Sequence, residues 1–332
     1  MSTTPRASTG SPSTRILSVG SAVPSRVLGN DDLCRFIDSS DEWITQRTGI
    51  KQRRWLADGE SLESLAVEAS RAAIARCGVA PARIDAVILA TVSRFRQMPA
   101  LAPRLADELG LDHPAAYDIS AACAGFCYAL AQADALIRAG HARHVLVVAA
   151  DTLSPMTDVH DRSTAFLFAD GAGAAIVGPC DVNGIGPVVW GSDGGQAGAI
   201  WMTSDWPQAV GAGRPPAIGM DGRAVFRWAT THIATAARRC LDEAGLAPGD
   251  LDVFLPHQAN NRITDALVRA LDLPKKVVVA RTITKYGNTS SSSVPIAMDD
   301  LLRSGEAKSG QTALIIGFGA GLAYAGQVVT LP

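Results

Sequence analysis

The sequence lacks any apolar run that approaches the roughly 18 residues of a membrane-spanning helix. Its opening stretch, MSTTPRASTGSPST, is rich in Ser, Thr and Pro and lacks the apolar core of a secretion signal. Neither a membrane span nor an export signal is therefore expected. We predict a cytoplasmic protein with a disordered tail over residues 1–13 and no membrane partner.

Neither sign of charge dominates the chain. The 30 Lys and Arg residues are balanced by 32 Asp and Glu residues, which gives a formal net charge of −2. A protein with this balance has no global positive field to hold nucleic acid or an anionic membrane. We therefore predict no nucleic-acid partner, and any acidic partner must meet a local basic patch.

Cysteine is sparse and scattered through apolar segments. A chain of 332 residues can bury a large core without disulfide staples. The cysteines form no cluster with the spacing of metal ligands, so reduced thiols and no metal site are expected. They are Cys34, Cys77, Cys123, Cys127, Cys180 and Cys240.

The chain contains an internal repeat. GVAPARIDAVILATVS (78–93) matches GLAPGDLDVFLPHQAN (245–260) at its Gly, Ala-Pro, Asp and apolar positions. HVLVVAAD (144–151) and TALIIGFG (312–319) form a second pair at nearly the same offset. Repeated units of this kind predict two similar halves, which we place at residues 14–182 and 183–332.

Each half shows the pattern of helix, short turn, buried strand, connection, helix and buried strand. Apolar runs such as HVLVV and TALII do not alternate with polar residues, which is typical of strands covered on both faces. Helical periodicity is clear over 61–78 and 222–245. These patterns predict an α/β fold of stacked layers, and segment 191–221 predicts an irregular wall over a cleft.

Cys123 lies between the strand-like AAYDIS and the helical GFCYALAQADALIRAG. A sulfur at a helix N-terminus has its thiolate favoured by the helix dipole and by free N–H groups, which lowers a cysteine pKa. The surrounding alanines and Gly125 leave room for a substrate. The local sequence supports either a nucleophile or a small buried thiol, and both interpretations stay open at this point.

Two other stretches carry candidate polar groups. DVFLPHQANNRI (252–263) places His257 directly after a buried apolar strand, and KYGNTSSSSVPIAM (285–298) places Asn288 in a turn before a hydroxyl-rich run. A single His or a turn Asn is ordinarily structural. The repeat, however, matches the connection that holds Asn288 with the one that holds Cys123, which predicts that both approach one pseudo-two-fold axis.

Together these stretches resemble the 3-oxoacyl-(acyl-carrier-protein) synthase III family of the thiolase superfamily. The resemblance lies in SAACAGF, LPHQANNRI, YGNTSSSSVP and the final GFGAGLAYAG, and it extends from SSDEWITQRTGI (39–50) to the C-terminus. It implies a thiolase-like five-layered α-β-α-β-α fold built from two duplicated halves. It also implies a homodimer.

The resemblance implies a decarboxylative condensation. Cys123 would take the acyl group of an acyl-CoA, and malonyl-acyl carrier protein would then enter. His257 and Asn288 would stabilise the enolate formed as CO2 leaves, and backbone N–H groups of Cys123 and Ala320 would hold the tetrahedral oxyanion. Acyl-CoA is then a substrate, and no cofactor is implied.

The same resemblance assigns residues that line the substrate channel. Guanidinium groups suit CoA phosphates and an indole suits a stacked adenine. Met98 and Phe318 would line the acyl pocket, with Met98 projecting from the partner subunit. The residues expected to bind CoA and pantetheine are Trp43, Arg47, Arg162, Asn260 and Arg262.

Other functions share these motifs. A cysteine hydrolase also needs a Cys, a His and an orienting amide. An acyltransferase of the same fold would pass the acyl group to oxygen or nitrogen. A non-catalytic partner subunit is the alternative of a different class, although such proteins usually lose the nucleophile.

Overall fold

The computed structural model describes residues 9–332, except residue 214 and the side chain of residue 210. The strands are β1 (Thr14–Ala22), β2 (Arg26–Gly29), β3 (Gln52–Trp55), β4 (Ala86–Ala90), β5 (Ala115–Ile119), β6 (Val145–Thr152), β7 (Asp170–Pro179), β8 (Val189–Ser192), β9 (Ile200–Met202), β10 (Ile218–Met220), β11 (Val253–Pro256), β12 (Val278–Val279), β13 (Thr312–Gly319) and β14 (Ala323–Thr330). The helices are α1 (Asn30–Leu33), α2 (Asp41–Thr48), α3 (Leu62–Cys77), α4 (Leu101–Glu108), α5 (Gly125–Arg138), α6 (Trp206–Ala212), α7 (Gly222–Trp228), α8 (Ala234–Glu243), α9 (Asn261–Leu271), α10 (Ile283–Tyr286) and α11 (Ser293–Ser304).

Two large sheets carry the same topology. The first has the order β1-β7-β6-β4-β5, and the second has the order β8-β14-β13-β11-β12. In the first sheet β5, β4 and β6 are parallel, while β7 and β1 are antiparallel to their neighbours. The second sheet repeats this arrangement strand for strand. The sequence repeat therefore predicted a structural duplication that is present.

The layers follow from which faces are buried. β4, β6, β11 and β13 are covered on both sides, as their unbroken apolar runs predict. One core joins the two sheets through α5 and α11, which lie between them. A second core packs α3 and α4 on the outer face of the first sheet, and a third packs α8 and α9 on the second. The predicted α-β-α-β-α layering is confirmed.

The central layer is packed closely where α5 begins. Gly125 is the first residue of α5, and a Cβ atom on it would lie 2.8 Å from Ala90 Cβ and 3.3 Å from Ser291 Cβ. Real side chains essentially never approach to 2.8 Å, so the helix can lie against β4 only without a side chain here. This contact places the start of α5, and Cys123 before it, against the loop that precedes α11.

The two long helices predicted from periodicity are present with one refinement. Ser61 caps α3 by accepting from Ser64 N at 3.0 Å, and Gly78 ends it with φ +69°. The second predicted helix is divided into α7 and α8 by a wide π-helical turn at Ala229–Ile233. The hydrophobic pattern over 222–245 predicts the apolar face of the helix. It does not reveal the extra residue that widens the helical turn between α7 and α8.

Segment 191–221 is more regular than predicted. It contains the hairpin formed by β9 and β10, which pair antiparallel, and the short helix α6. Its role as a wall agrees with the sequence interpretation, since Trp201, Met202, Ile218 and Met220 line the large cavity described below. The prediction of irregular structure was wrong because these elements are too short for periodicity to reveal them.

Residues 1–8 of the predicted tail lie outside the described residues. Within the rest of that tail, Ser11 N donates to Ile137 O at 3.2 Å, so bonding to α5 begins before residue 14. β7 ends at Pro179 and β8 begins at Val189, so the junction predicted between residues 182 and 183 lies in the link between the two sheets. In the described part of the chain, no helix is long and apolar enough to cross a bilayer.

Candidate active site

Three side chains that are distant in sequence line one cavity of about 1230 Å³. Cys123 lies in a 3₁₀ turn, Ala122–Ala124, directly before α5. His257 follows β11, and Asn288 precedes a second 3₁₀ turn, Ser290–Ser292, that leads into α11. The duplicated topology thus brings the N-terminal ends of α5 and α11 together at the floor of one cavity.

The environment of Cys123 differs from the sequence expectation. Burial raises the pKa of its thiol to about 12, and a hydrogen bond with the Ser290 side chain opposes that rise without cancelling it. The nearby Asp151 carboxylate raises the pKa further. The expectation of a lowered pKa was therefore wrong, because loss of hydration outweighs the helix N-terminus. At rest the Cys123 side chain is therefore a neutral thiol.

The backbone on both sides of the sulfur adopts left-handed angles. Ala122 has φ +45° and Ser290 has φ +56°, and residues other than glycine rarely adopt these left-handed backbone angles. Each such residue costs of order 1–3 kcal/mol and persists only where surrounding contacts determine it. These two residues sit immediately before Cys123 and two positions after Asn288, so two of the four such non-glycine residues in the described chain lie at the site.

Gly319, at the end of β13, lies against Cys123. A Cβ atom placed on it would lie 2.8 Å from Cys123 Cβ and 3.0 Å from both Cys123 N and Cys123 Sγ. Its φ of −178° is open to any residue, so contact and not conformation requires glycine here. The glycine therefore lets the second half of the molecule approach the sulfur.

His257 is almost fully buried, with its ring edge-on to Phe318 at a centroid distance of 5.2 Å. Its Nδ1 lies 2.7 Å from Ser293 Oγ. Burial lowers the pKa of the imidazole to about 3, so the ring is neutral at any ordinary pH. A neutral imidazole offers one N–H donor.

Asn288 is held by the backbone on both sides. Its N donates to Leu167 O and its O accepts from Ala169 N, each at 2.9 Å. Its side-chain oxygen accepts from Ser290 N at 2.9 Å. Since a backbone N–H can only donate, this contact fixes the orientation of the amide and leaves its NH2 group for the cavity.

A buried carboxylate joins the Asn288 loop to the first sheet. Asp151, at the end of β6, accepts from Val92 N at 2.8 Å and from the hydroxyls of Thr91 and Ser93 at 3.2 and 3.3 Å. Its other oxygen accepts from Ser291 Oγ at 2.6 Å and Ser291 N at 3.2 Å. Burial raises the pKa of this carboxyl, and the hydrogen bonds oppose that rise.

The mouth of the cavity carries three of the residues expected to bind CoA. The Trp43 ring has the Arg162 guanidinium over it at 4.8 Å and that of Arg47 at 5.6 Å. The same ring packs edge-on against Phe166. Each guanidinium is within range of a cation–π contact, so the three side chains form one cationic, aromatic surface.

Asn260 and Arg262 also line the cavity. Asn260 caps α9, with its side-chain oxygen accepting from Arg262 N at 2.8 Å, and this contact orients its amide group. The Arg262 guanidinium lies 5.5 Å from the Phe226 ring centre. Arg223 and Arg227 on α7 line the same opening.

The remaining predicted residues divide into two groups. Phe318 and Ala320 line the cavity beside Cys123 and His257. Met98 is 85% exposed and lies outside the cavity wall of its own chain. A place for Met98 in an acyl pocket therefore depends on a second subunit and stays a prediction.

Ser290, Ser293 and Asp151 are site residues that sequence pattern does not reveal. The two serines lie within the hydroxyl-rich run after Thr289, but four adjacent serines give no signal of which one contacts which partner. Asp151 was detectable in principle as an acidic residue ending a buried strand. In the described ranges, no group of three or more His, Cys, Asp and Glu side chains is arranged to hold a metal ion.

Two duplicated halves in five layers, with a cysteine, a neutral histidine and an oriented asparagine on one cavity floor, define a condensing enzyme of the thiolase fold. Comparison with known proteins identifies the family. Residues 117–194 match 3-oxoacyl-[acyl-carrier-protein (ACP)] synthase III, and residues 241–331 match its C-terminal domain. The chain belongs to the 3-oxoacyl-[acyl-carrier-protein] synthase III family.

Relatives match over nearly the whole length. The chain is 52% identical to beta-ketoacyl-[acyl-carrier-protein] synthase III of Streptomyces glaucescens, over 97% of this chain and 98% of the relative. It is 49% identical to the mycobacterial enzyme of that name from Mycobacterium avium, over 98% of each chain.

Solved structures agree with this assignment. The priming beta-ketosynthase of the R1128 polyketide biosynthetic pathway superposes with a TM-score of 0.96 at 49% identity, over 99% of this chain and 98% of that one. The synthase III of Aquifex aeolicus gives a TM-score of 0.89 at 36% identity, over 96% and 99%.

The pKa of Cys123 predicts how its reactivity depends on pH. Below a pKa of about 12 the thiolate fraction rises about tenfold per pH unit. Alkylation of Cys123 by iodoacetamide should therefore increase steadily from pH 7 to pH 10 without levelling off. Peptide mass spectrometry resolves it from the other cysteines, and Cys123→Ser gives the background. A plateau below pH 9 would show that the helix N-terminus dominates instead.

The contact at Gly319 predicts that a single methyl group disturbs the nucleophile. Gly319→Ala should slow acylation of Cys123 roughly 10- to 100-fold, because a displacement near 1 Å at a reacting group costs about that much. Stopped-time mass spectrometry of the acyl-protein measures the rate. Gly249→Ala is the matched control, since its Cβ would meet nothing within 4 Å. Equal rates in both variants would show that the cavity floor relaxes freely.

Proposed function

We propose that this protein is an acyltransferase that condenses a short acyl-CoA starter with malonyl-acyl carrier protein to give a 3-oxoacyl-carrier protein. This reaction would begin fatty acid or polyketide synthesis. The observation that carries the proposal is the meeting of Cys123, His257 and Asn288 on one cavity floor. The relatives named beta-ketoacyl synthase III and the priming beta-ketosynthase support it.

The first step loads the nucleophile. Cys123 Sγ forms a bond to the thioester carbon of the acyl-CoA, the bond from that carbon to the CoA sulfur breaks, and the thiol proton leaves on the CoA sulfur. The neutral thiol found here suits a step in which the proton departs as the bond forms. Backbone N–H groups of Cys123 and Ala320 are proposed to hold the transient oxyanion.

The second step forms the carbon–carbon bond. The bond to the malonyl carboxylate breaks, CO2 leaves, and the electron pair passes to the thioester carbonyl as an enolate. The NH2 group of Asn288 and the N–H of His257 donate to that oxygen. The carbanion then attacks the acyl carbon, and the Cys123 sulfur departs as a thiolate that takes a proton from solvent.

The basic rim is proposed to receive the two carriers. Arg47 and Arg162, whose guanidinium groups lie near the Trp43 ring, are proposed to bind the CoA phosphates, and the Trp43 ring is proposed to stack on the adenine. Arg223, Arg227 and Arg262 add positive charge to the same opening, which suits an acidic carrier protein. The neutral floor and the cationic rim together direct an anionic carrier toward an uncharged site.

A homodimer is proposed from the exposed edge of the first sheet. β5 is the last strand of that sheet and is only half-buried, so its outer backbone edge is open to a further strand. Apolar side chains are exposed in the adjoining loop and on α6, where Phe95 packs edge-on against Trp206. A second copy would cover this surface and place its Met98 near the neighbouring cavity.

A decarboxylation assay tests the proposed function against a cysteine hydrolase. Cys123→Ala should still release CO2 from malonyl-carrier protein, because that step uses the two donors and not the sulfur. His257→Ala and Asn288→Ala should each lower the rate about 100-fold or more, the usual cost of losing one such donor. Release of labelled CO2 measures the rate.

The controls for this assay separate the alternatives. His141→Ala removes an exposed histidine far from the cavity and should leave the rate unchanged. A hydrolase would release free acid from acyl-CoA and no CO2 from malonyl thioester. A non-catalytic subunit would take no label from radioactive acyl-CoA, whereas the proposed enzyme should be labelled in wild type and not in Cys123→Ala.

The proposed place of Met98 predicts a change in starter preference. Met98→Phe should lower kcat/KM for isobutyryl-CoA relative to acetyl-CoA roughly 10-fold or more, because a rigid ring fills space that a thioether leaves adaptable. Competing-substrate assays measure the ratio. Val182→Phe adds the same ring at another exposed apolar position, 82% exposed, and should not change it. An unchanged ratio in Met98→Phe, or a monomer by sedimentation, contradicts this placement.

A further inference from the structure

The hydrogen bonds around His257 specify more than its position. A neutral imidazole carries its single proton on either Nδ1 or Nε2, and only the nitrogen that holds the proton can donate. Burial keeps the ring neutral. The choice between the two tautomers therefore decides whether the ring nitrogen that faces the cavity is a hydrogen-bond donor or an acceptor. The contacts of Ser293 make that choice.

Ser293 is the first residue of α11 and is 2% exposed. Its Oγ lies 2.7 Å from His257 Nδ1, and it also accepts from Gln258 N at 3.2 Å. Among the described residues, these are the hydrogen-bond partners that Ser293 Oγ has. The Gln258 contact has a fixed direction, because a backbone N–H can only donate.

A count of protons then settles the contact between Ser293 and His257. If Nδ1 carried the proton, Ser293 Oγ would receive two N–H donors and its own proton would be buried without an acceptor. If the Ser293 hydroxyl donates to Nδ1, then His257 Nδ1, Ser293 Oγ and the backbone N–H of Gln258 each have a hydrogen-bond partner. Leaving a buried donor unpaired is the costlier arrangement, so Nδ1 is the acceptor.

We propose that Ser293 is a positioning residue that fixes His257 as the tautomer with its proton on Nε2. Because Nδ1 faces α11, Nε2 is the nitrogen left to face the cavity. The Nε2–H then joins the Asn288 NH2 group, whose orientation the Ser290 amide fixes. Two backbone N–H groups, of Gln258 and Ser290, thus orient both donors, one of them through the Ser293 hydroxyl.

The assignment of the His257 tautomer depends only on hydrogen bonds within the protein. The claim that its Nε2–H donates to a thioester oxygen rests on the proposed function. A carboxylate in the place of Ser293 would accept from Nδ1–H and stabilise a charged imidazolium. A hydroxyl that donates keeps the ring neutral and still presents a donor. The two consequences call for two separate measurements.

Nitrogen-15 NMR of the resting protein labelled at histidine measures the tautomer. Two-bond couplings to the ring protons identify the protonated nitrogen, and His257→Gln assigns the signal. Wild type should show Nε2 protonated, and so should Ser293→Thr, which keeps the hydroxyl. Ser293→Ala should show Nδ1–H populated. A wild-type ring protonated on Nδ1, or an Ala variant with an unchanged tautomer, overturns the proposal.

Matched variants separate positioning from folding. Ser292→Ala removes a neighbouring buried hydroxyl that donates to Thr289 O, and it should leave the His257 signal unchanged. If Ser293→Ala fails to fold, the wild-type and Ser293→Thr spectra still decide the tautomer.

A kinetic measurement completes the test. Ser293→Ala should lower kcat for malonyl-thioester decarboxylation roughly 10- to 100-fold with little change in KM, and Ser293→Thr should restore it. A loss confined to KM counts against positioning. If wild type releases no CO2 while its Nε2–H tautomer is observed, the proposed function fails and the role of Ser293 in fixing the tautomer stands.

Discussion

The geometry of the site depends on a buried carboxylate that joins the two halves of the molecule. Asp151 is the penultimate residue of β6 in the first sheet, and its Oδ2 accepts from the backbone and the side chain of Ser291 in the second half. A fully buried carboxylate is tolerated only when its oxygens are satisfied, and here each one accepts several donors. The same acceptor therefore fixes the Asn288 loop relative to the strand ends beside Cys123.

The Cys123 and His257 side chains on the cavity floor are both uncharged at rest. Burial gives the Cys123 thiol a pKa of about 12 and the His257 imidazole a pKa of about 3, so both groups are neutral. Fixed neutral donors stabilise a negative charge that develops during reaction, and each contributes about 3 kcal/mol where water is excluded. The guanidinium groups of Arg47, Arg162, Arg223, Arg227 and Arg262 line the same cavity, and their proposed role is to attract an anionic carrier.

The sequence predicts the architecture well because the fold is duplicated. Two pairs of matching segments give the relation between β4 and β11 and between β6 and β13, and their unbroken apolar runs give the burial of these strands. The same relation predicts that Cys123 and Asn288 approach one axis. Segment 191–221 is predicted less well, because β9, β10 and α6 are each too short to show a period.

Electrostatics and hydrogen-bond direction are beyond sequence pattern. The position of Cys123 before α5 favours a thiolate by local reasoning, yet burial and the nearby Asp151 raise its pKa to about 12. Met98 shows the same limit, since it is 85% exposed in its own chain and the role proposed for it requires another copy. Such properties depend on which groups meet across the fold.

The four consecutive serines after Thr289, Ser290 to Ser293, make different hydrogen bonds although they are the same residue type. The Ser290 amide orients Asn288, and the Ser291 hydroxyl binds Asp151. The Ser292 hydroxyl donates to Thr289 O, and Ser293 contacts His257 Nδ1. The left-handed φ at Ser290 and the tight 3₁₀ turn direct the polar groups of successive residues to different sides, so the Ser290 amide and the three hydroxyls that follow make different contacts. A repetitive stretch thus becomes four distinct contacts, and its conformation, more than its composition, assembles the site.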